Sequence, residues 1–292
     1  MSLNTHHIIE IKEKGITKYI PKELAHCNPT EFKDIARLLF NWQSGSISYG
    51  DFRVQAIYVL LKLKKGKRKI NELEIDIAFS NIERVSVLMD SFFQITDTLD
   101  KRIKLNITDN PVPFVKPVFL RIHGPKPRLT NTNFGQYEDA SNSYHMYYRT
   151  HDTKYLYLLF ATYYQDPRRY NNDQTESKAT YFKKTIDFAN VFSFFLFFEA
   201  FQNYVTSSKV MWEGNVIDLS ILFSKVDESE KSELPGLGTK SLAFQIAESG
   251  VFGNLRELRS DKLWEVLLRL YDIRKRDLDN KAEQERNAKK NA

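Results

Sequence analysis

The residues best placed to do chemistry are six cations. Lys62, Lys64, Lys65, Lys67, Arg68 and Lys69 fall within eight positions, with no acid among them. Such a run can neutralise phosphates and bind nucleic acid or another anionic surface in a salt-sensitive way. Its plainer reading is a helix end whose lysines complement the dipole, with Gly66 as a left-handed terminator leading into a solvated loop. The six charges equal the chain's whole formal net charge of +6, so the remainder sums to zero. A pI near 9.1 therefore reports one short segment and not a generally basic protein.

Other chemistry is sparse. Tyrosines between Tyr137 and Tyr170, interleaved with Arg149, Arg168 and Arg169, have the residue types that stack unpaired bases. Most of them also fall on helical stripes, where tyrosine packs its ring and leaves its hydroxyl at the rim. Pro235 to Ser241 (PGLGTKS) resembles a phosphate loop, but Thr239 separates Gly238 from Lys240 and no strand precedes it. No two of the six histidines sit at a metal-ligand spacing, and Cys27 is the lone cysteine. No nucleophile elbow, zinc-protease motif or dinucleotide fingerprint occurs. The reading is a protein with no catalytic residues, no metal and no cofactor.

The elements that must carry these residues are mostly helices. Hydrophobic residues make up 42% of the 292, with 21 Phe and 15 Tyr, enough for a substantial core. Eleven glycines are too few for a turn-rich all-β fold. The expected class is mainly α: an irregular multi-helix bundle with a short N-terminal β-hairpin or arm. The arm covers 1–20, with strand-like runs either side of Gly15. A helical subdomain follows over 21–100. Asn28-Pro29-Thr30-Glu31 starts one helix by a capping box, Ser48 with Asp51 starts a second, and a third covers Asn81 to Phe93.

Five of the nine prolines fall in 101–130, which reads as a connection carrying a small β ribbon. A second helical domain covers 131–273. Its helices carry Phe134 and Tyr137, then Leu156 and Phe160, then a long stretch from Glu176 to Val205. A shorter helix is expected near Val216 to Phe223, a loop over Asp227 to Gly238, and a helix from Leu242. Ser260 is expected to cap the last helix, with Leu263, Val266, Leu267, Leu270 and Ile273 as its stripe. Residues 274–292 form a polar tail.

Phe188 to Phe201 holds seven phenylalanines in 14 residues. A membrane span needs roughly 20 apolar residues, so this stretch is too short and no transmembrane segment is expected. It reads as a helix apolar nearly all round, with core or interface left open. The opening MSLNTHHIIEIKEK has no apolar h-region, so no secretory signal is expected. A reducing location follows from the cysteine usage: cytoplasmic or virion-associated.

Leu129 to Gln165 and Leu242 to Lys275 resemble uncharacterised proteins of phages and related mobile elements of Bacteroidota, whose genes lie beside virion or tail-assembly genes. The shared texture is Phe134-Gly135-Gln136-Tyr137, Leu159-Phe160-Ala161-Thr162-Tyr163-Tyr164 and the Gly250-x-Phe252-Gly253 turn. The resemblance implies a structural or assembly role and assigns no site residue. The expected function is therefore non-enzymatic and made of protein–protein contacts or self-association, in phage particle or tail assembly. The alternative is a nucleic-acid-binding accessory protein using the 62–69 segment.

Overall fold

The computed structural model describes residues 5–11, 15–63, 71–95, 100–166, 168, 170–207, 209–212, 214–223 and 253–291. The protein is mainly α, with four small two-stranded antiparallel sheets among the described residues. It divides into two units. The first holds Met1–Val112 and Asp187–Phe197, the second Pro113–Ile186 and Phe198–Ala292.

The first unit opens with the hairpin β1 (His6–Ile11) and β2 (Ile16–Pro21), in which Ile8 pairs with Tyr19. Helix α1 (Pro29–Gln43) starts at a complete capping box: Asn28 Oδ1 accepts from Glu31 N, and Glu31 accepts from Asn28 N. Two orphan amides are thereby satisfied. Phe32, Ile35, Ala36, Leu38 and Leu39 form its buried face. Gly45 closes it at φ +74°, its N–H reaching Trp42 O while Ser46 N–H reaches Asn41 O. These two bonds form a Schellman motif, and the left-handed position suits glycine.

Helix α2 (Tyr49–Leu60) likewise begins at the Ser48–Asp51 box. Its end corrects the sequence expectation. The left-handed residue is Lys62 at φ +53°, not Gly66: Leu63 N bonds Tyr58 O and Lys62 N bonds Val59 O. The helix therefore stops several residues before the glycine, and a lysine takes the strained position. Gly66 itself lies outside the described residues.

Helix α3 (Glu72–Ser86) starts nine residues before the expected Asn81, because Asn71 and Glu74 form another capping box. A 3-10 turn (Val87–Phe92) follows, then β3 (Phe93–Ile95), which pairs with β4 (Lys101–Ile103). The strand-like 101–103 run thus turns back onto the first unit. The second half of the proline-rich stretch makes its own ribbon, β5 (Phe114–Val115) with β6 (Ile122–His123).

In the second unit, α4 (Phe134–Thr150) and α5 (Lys154–Tyr163) pack together, with Leu156, Leu159, Phe160 and Tyr163 buried as the stripe requires. The long helix expected from Glu176 to Val205 is two. Helix α6 (Thr175–Thr185) ends where Ile186 becomes extended, and α7 (Phe188–Ser207) restarts after Asp187. Asp187 Oδ1 accepts from Ala189 N at 3.0 Å, and its other oxygen takes Arg37 at 2.7 Å. A carboxylate held at a helix start by a cation explains a break that apolar periodicity does not show.

The phenylalanine run is core. Phe192, Phe194, Phe195, Phe197 and Phe198 are all buried. Phe188 and Phe192 meet Phe40 edge-on at 4.6 and 5.2 Å within the first unit. Phe198 meets Tyr137, Tyr144 and Tyr163 within the second.

Val216 to Phe223 is not a helix. Asn215–Asp218 is strand β8, paired with β7 (Lys209–Trp212) across Gly214 at φ +81°, and only Leu219–Leu222 coils, as a 3-10 turn. Ser260 ends a helix instead of capping one. Asn254 caps α8 (Leu255–Ser260), and the stripe Leu263, Val266, Leu267, Leu270 belongs to α9 (Leu263–Asn291). The tail continues α9 as an exposed helix. The loop expected at 227–238 and the helix from Leu242 lie outside the described residues.

Candidate functional site

Of the six cations, only Lys62 is described; it is exposed, two residues past α2. Lys64, Lys65, Lys67, Arg68 and Lys69 lie outside the described residues.

The tyrosine-rich stretch is chiefly packing. Tyr137 is buried and its hydroxyl donates to Gln202 Oε1 at 3.0 Å. Phe160 stacks on Tyr164 at 3.8 Å and meets Phe182 edge-on. The rim tyrosines Tyr144, Tyr147 and Tyr148 surround Glu199, and Tyr148 donates to its carboxylate. Burial first, then this carboxylate, raises all three phenols above their ordinary range. An anion at the centre of the cluster opposes a nucleic-acid phosphate there.

A cavity of about 290 Å³ lies in the second unit. Arg121 and His123 line it from β6 and its approach, Gln136 from α4, and Tyr163, Gln165 and Asp166 from the end of α5. Its amides are engaged. Gln136 Nε2 donates to Thr162 O at 2.8 Å, and Gln165 Nε2 donates to Ala161 O and Thr162 O. Gln165 Oε1 accepts from Lys178 at 2.5 Å, and burial lowers that lysine's pKa. These groups brace the C-terminal turn of α5, whose last carbonyls need donors. They do not form a nucleophile with its base.

One carboxylate pair stands out that the sequence alone does not distinguish. Glu138 and Asp139 on α4 both bind Arg259 of α8, Asp139 at 2.6 Å. Tyr170 adds a 2.6 Å bond to Asp139. Burial, then the Asp139 bond, pushes Tyr170 up. A Cβ on Gly135 would stand 2.9 Å from Arg259 O, so glycine permits the two helices to meet this closely. With one guanidinium between them, the carboxylates form a structural clamp in place of an acid–base pair.

Cys27 is a thiol and not a thiolate: burial, then Glu31, raises its pKa. Among the described residues no three His, Cys, Asp or Glu side chains gather as metal ligands, and no helix is long and apolar enough to cross a membrane.

Among the described residues, two exposed apolar features stand out, and sequence reasoning missed both. The first is α3, where Leu73 is 68% and Phe79 63% exposed, with Ile75 and Ile77 also in solvent. Its signal was the alternation ELEIDIAF directly after a capping Asn71. The second is the β5–β6 tip, where Val118, Phe119 and Leu120 are 60, 96 and 72% exposed. Its signal was three apolar residues between Lys116-Pro117 and Arg121.

Comparison with protein-family models, curated proteins and solved structures returns no match.

Proposed function

We propose that the protein is a non-enzymatic binding protein that works through protein–protein contacts, with α3 as the element it offers. The exposure of α3's apolar residues carries this reading. Ile75, Phe79 and Ile82 follow the i, i+4, i+7 spacing by which an amphipathic helix lies in a groove. The same helix bears Glu72, Glu74, Asp76 and Glu83 against Arg84. The occupant is therefore a protein with an apolar groove and a cationic rim. The resemblance to phage-encoded proteins supports a component of particle or tail assembly as that protein.

A photo-crosslinking residue placed at Phe79 in host cells tests this. The expected product is one discrete heteromeric adduct, lost in an I75S companion variant and not formed from the exposed Tyr181. An adduct of twice the chain's own mass would identify a second copy and overturn the heteromeric reading, as would adducts equal at both positions.

A second reading, nucleic-acid binding through Lys62, Lys64, Lys65, Lys67, Arg68 and Lys69, rests on charge localisation. It requires duplex or single-strand affinity that falls steeply with salt and vanishes when all six become glutamine. Unchanged affinity in that variant would overturn it.

A further inference from the structure

We propose that the β5–β6 tip is an anchor for an anionic bilayer surface. Val118, Phe119 and Leu120 enter the headgroup layer, and the surrounding cations rest against lipid phosphates.

The apolar part is the first observation. Phe119 is almost wholly in solvent, with its two neighbours largely so. The three residues sit where the chain bends back between β5 and β6, so successive apolar side chains stand in solvent at the end of the ribbon. A protein groove covers one side of such a tip, whereas a lipid leaflet surrounds it. Three successive exposed apolar residues at the end of a turn therefore favour lipid.

The charge is the second. From Asn110 to Tyr137 the chain holds Lys116, Arg121, Lys126 and Arg128 and no acid. All four cations are exposed. Asp166 is the acid lining the cavity beside Arg121. Cations flanking an apolar tip supply the second signal that stable surface attachment requires.

The third is preorganisation. Val115 is buried and pairs with Ile122, and Gly124 N–H closes the ribbon on Pro113 O at 3.0 Å. Arg121 lies over the Phe114 ring at 3.6 Å. Pro117 fixes one φ of the six-residue loop 116–121. Little ordering entropy is left to lose when the tip inserts.

The test uses the full chain with vesicles of phosphatidylcholine plus phosphatidylserine, and of phosphatidylcholine alone. Sedimentation with the mixed vesicles is expected, and an F119S/L120S variant should bind at least about tenfold more weakly. K116Q/R121Q should lose roughly tenfold on mixed vesicles and show a flatter salt dependence. An F119W variant should be quenched by brominated acyl chains, including when Lys62 and Lys64 to Lys69 carry no charge. Attachment through those other cations alone would leave it unquenched. Absence of quenching, or undiminished vesicle binding by F119S/L120S, would overturn the proposal. So would a Phe119-dependent rise in sedimentation coefficient without vesicle binding, which would assign the tip to protein contact. The α3 crosslink needs no lipid, so either reading can fail alone.

Discussion

Helices α7 and α3 are both rich in large apolar residues, yet one is largely buried and the other stands in solvent. In α7 the phenylalanines come in runs, at 194–195 and 197–198, so most sides of its 188–201 stretch are apolar and none of those residues is exposed. In α3 the apolar residues alternate with acids: Leu73, Ile75 and Ile77 between Glu72, Glu74 and Asp76. A period of two wound onto a helix of 3.6 residues per turn scatters both kinds around the axis. Leu73 and Ile77 then fall on the side opposite Ile75, Phe79 and Ile82, so no single covered stripe gathers all of α3's apolar residues. Burial follows how apolar residues are distributed over a helix surface, and their number alone does not decide it.

This contrast can be broken most directly by cutting one ring from each helix. Phe197→Ala should cost about 3–5 kcal/mol, because it removes buried area and leaves a cavity. Phe79→Ala should stay within about 0.5 kcal/mol, as exposed positions do. Urea denaturation of both variants decides it, and a comparable loss at Phe79 would refute the description of α3 as unsupported.

Next in size is Arg259→Ala. It leaves Glu138 buried without its cation and should cost about 3 kcal/mol in the second unit, read by loss of protection in hydrogen exchange along α4 and α8. Protection along α3 should not change.

Removing caps sharpens the comparison further. Asn133→Ala should lower the stability of the α4 unit by about 1 kcal/mol. Asn71→Ala should instead unwind the first turns of α3 locally, since a helix with little tertiary support depends on its cap. Far-UV circular dichroism should fall with almost no shift in the global midpoint.

Acid provides the smallest effect. Burial, and for His7 also Lys22, holds His7 and His145 below the ordinary value of 6.5. Both bind a proton less well folded than unfolded, so stability is intact above 6.5 and declines as pH falls below it. A pH series of melting temperatures in which stability rises on acidification through that range would contradict this.

Several elements were legible from residues alone. Asn28-Pro29-Thr30-Glu31 and Ser48-Tyr49-Gly50-Asp51 specify their helix starts through local hydrogen bonds that need no tertiary partner. The α5 and α9 stripes were legible for a related reason: one covered face imposes one period. What escaped depends on contacts distant in sequence. The break between α6 and α7 rests on Arg37, 150 residues from Asp187. The Glu138–Asp139 clamp rests on Arg259, some 120 residues on. The α3 start escaped because its alternating pattern imitates a strand, and β8 because a four-residue strand is shorter than a periodicity can reveal. As for the site, the cation run was visible at once, while the two exposed apolar features became visible only when burial was known.

The continuity of α7 across both units has a consequence for the order in which the protein can be made. Residues 188–197 complete the first unit and 198–207 belong to the second. A ribosome that has released Val112 has therefore not finished the first unit. Phe40 must wait for Phe188 and Phe192, which emerge only after all of α4, α5 and α6. The first unit is complete only once Phe197 has emerged, deep into the second, and a chain cut at the proline-rich stretch would yield two incomplete pieces, not two proteins.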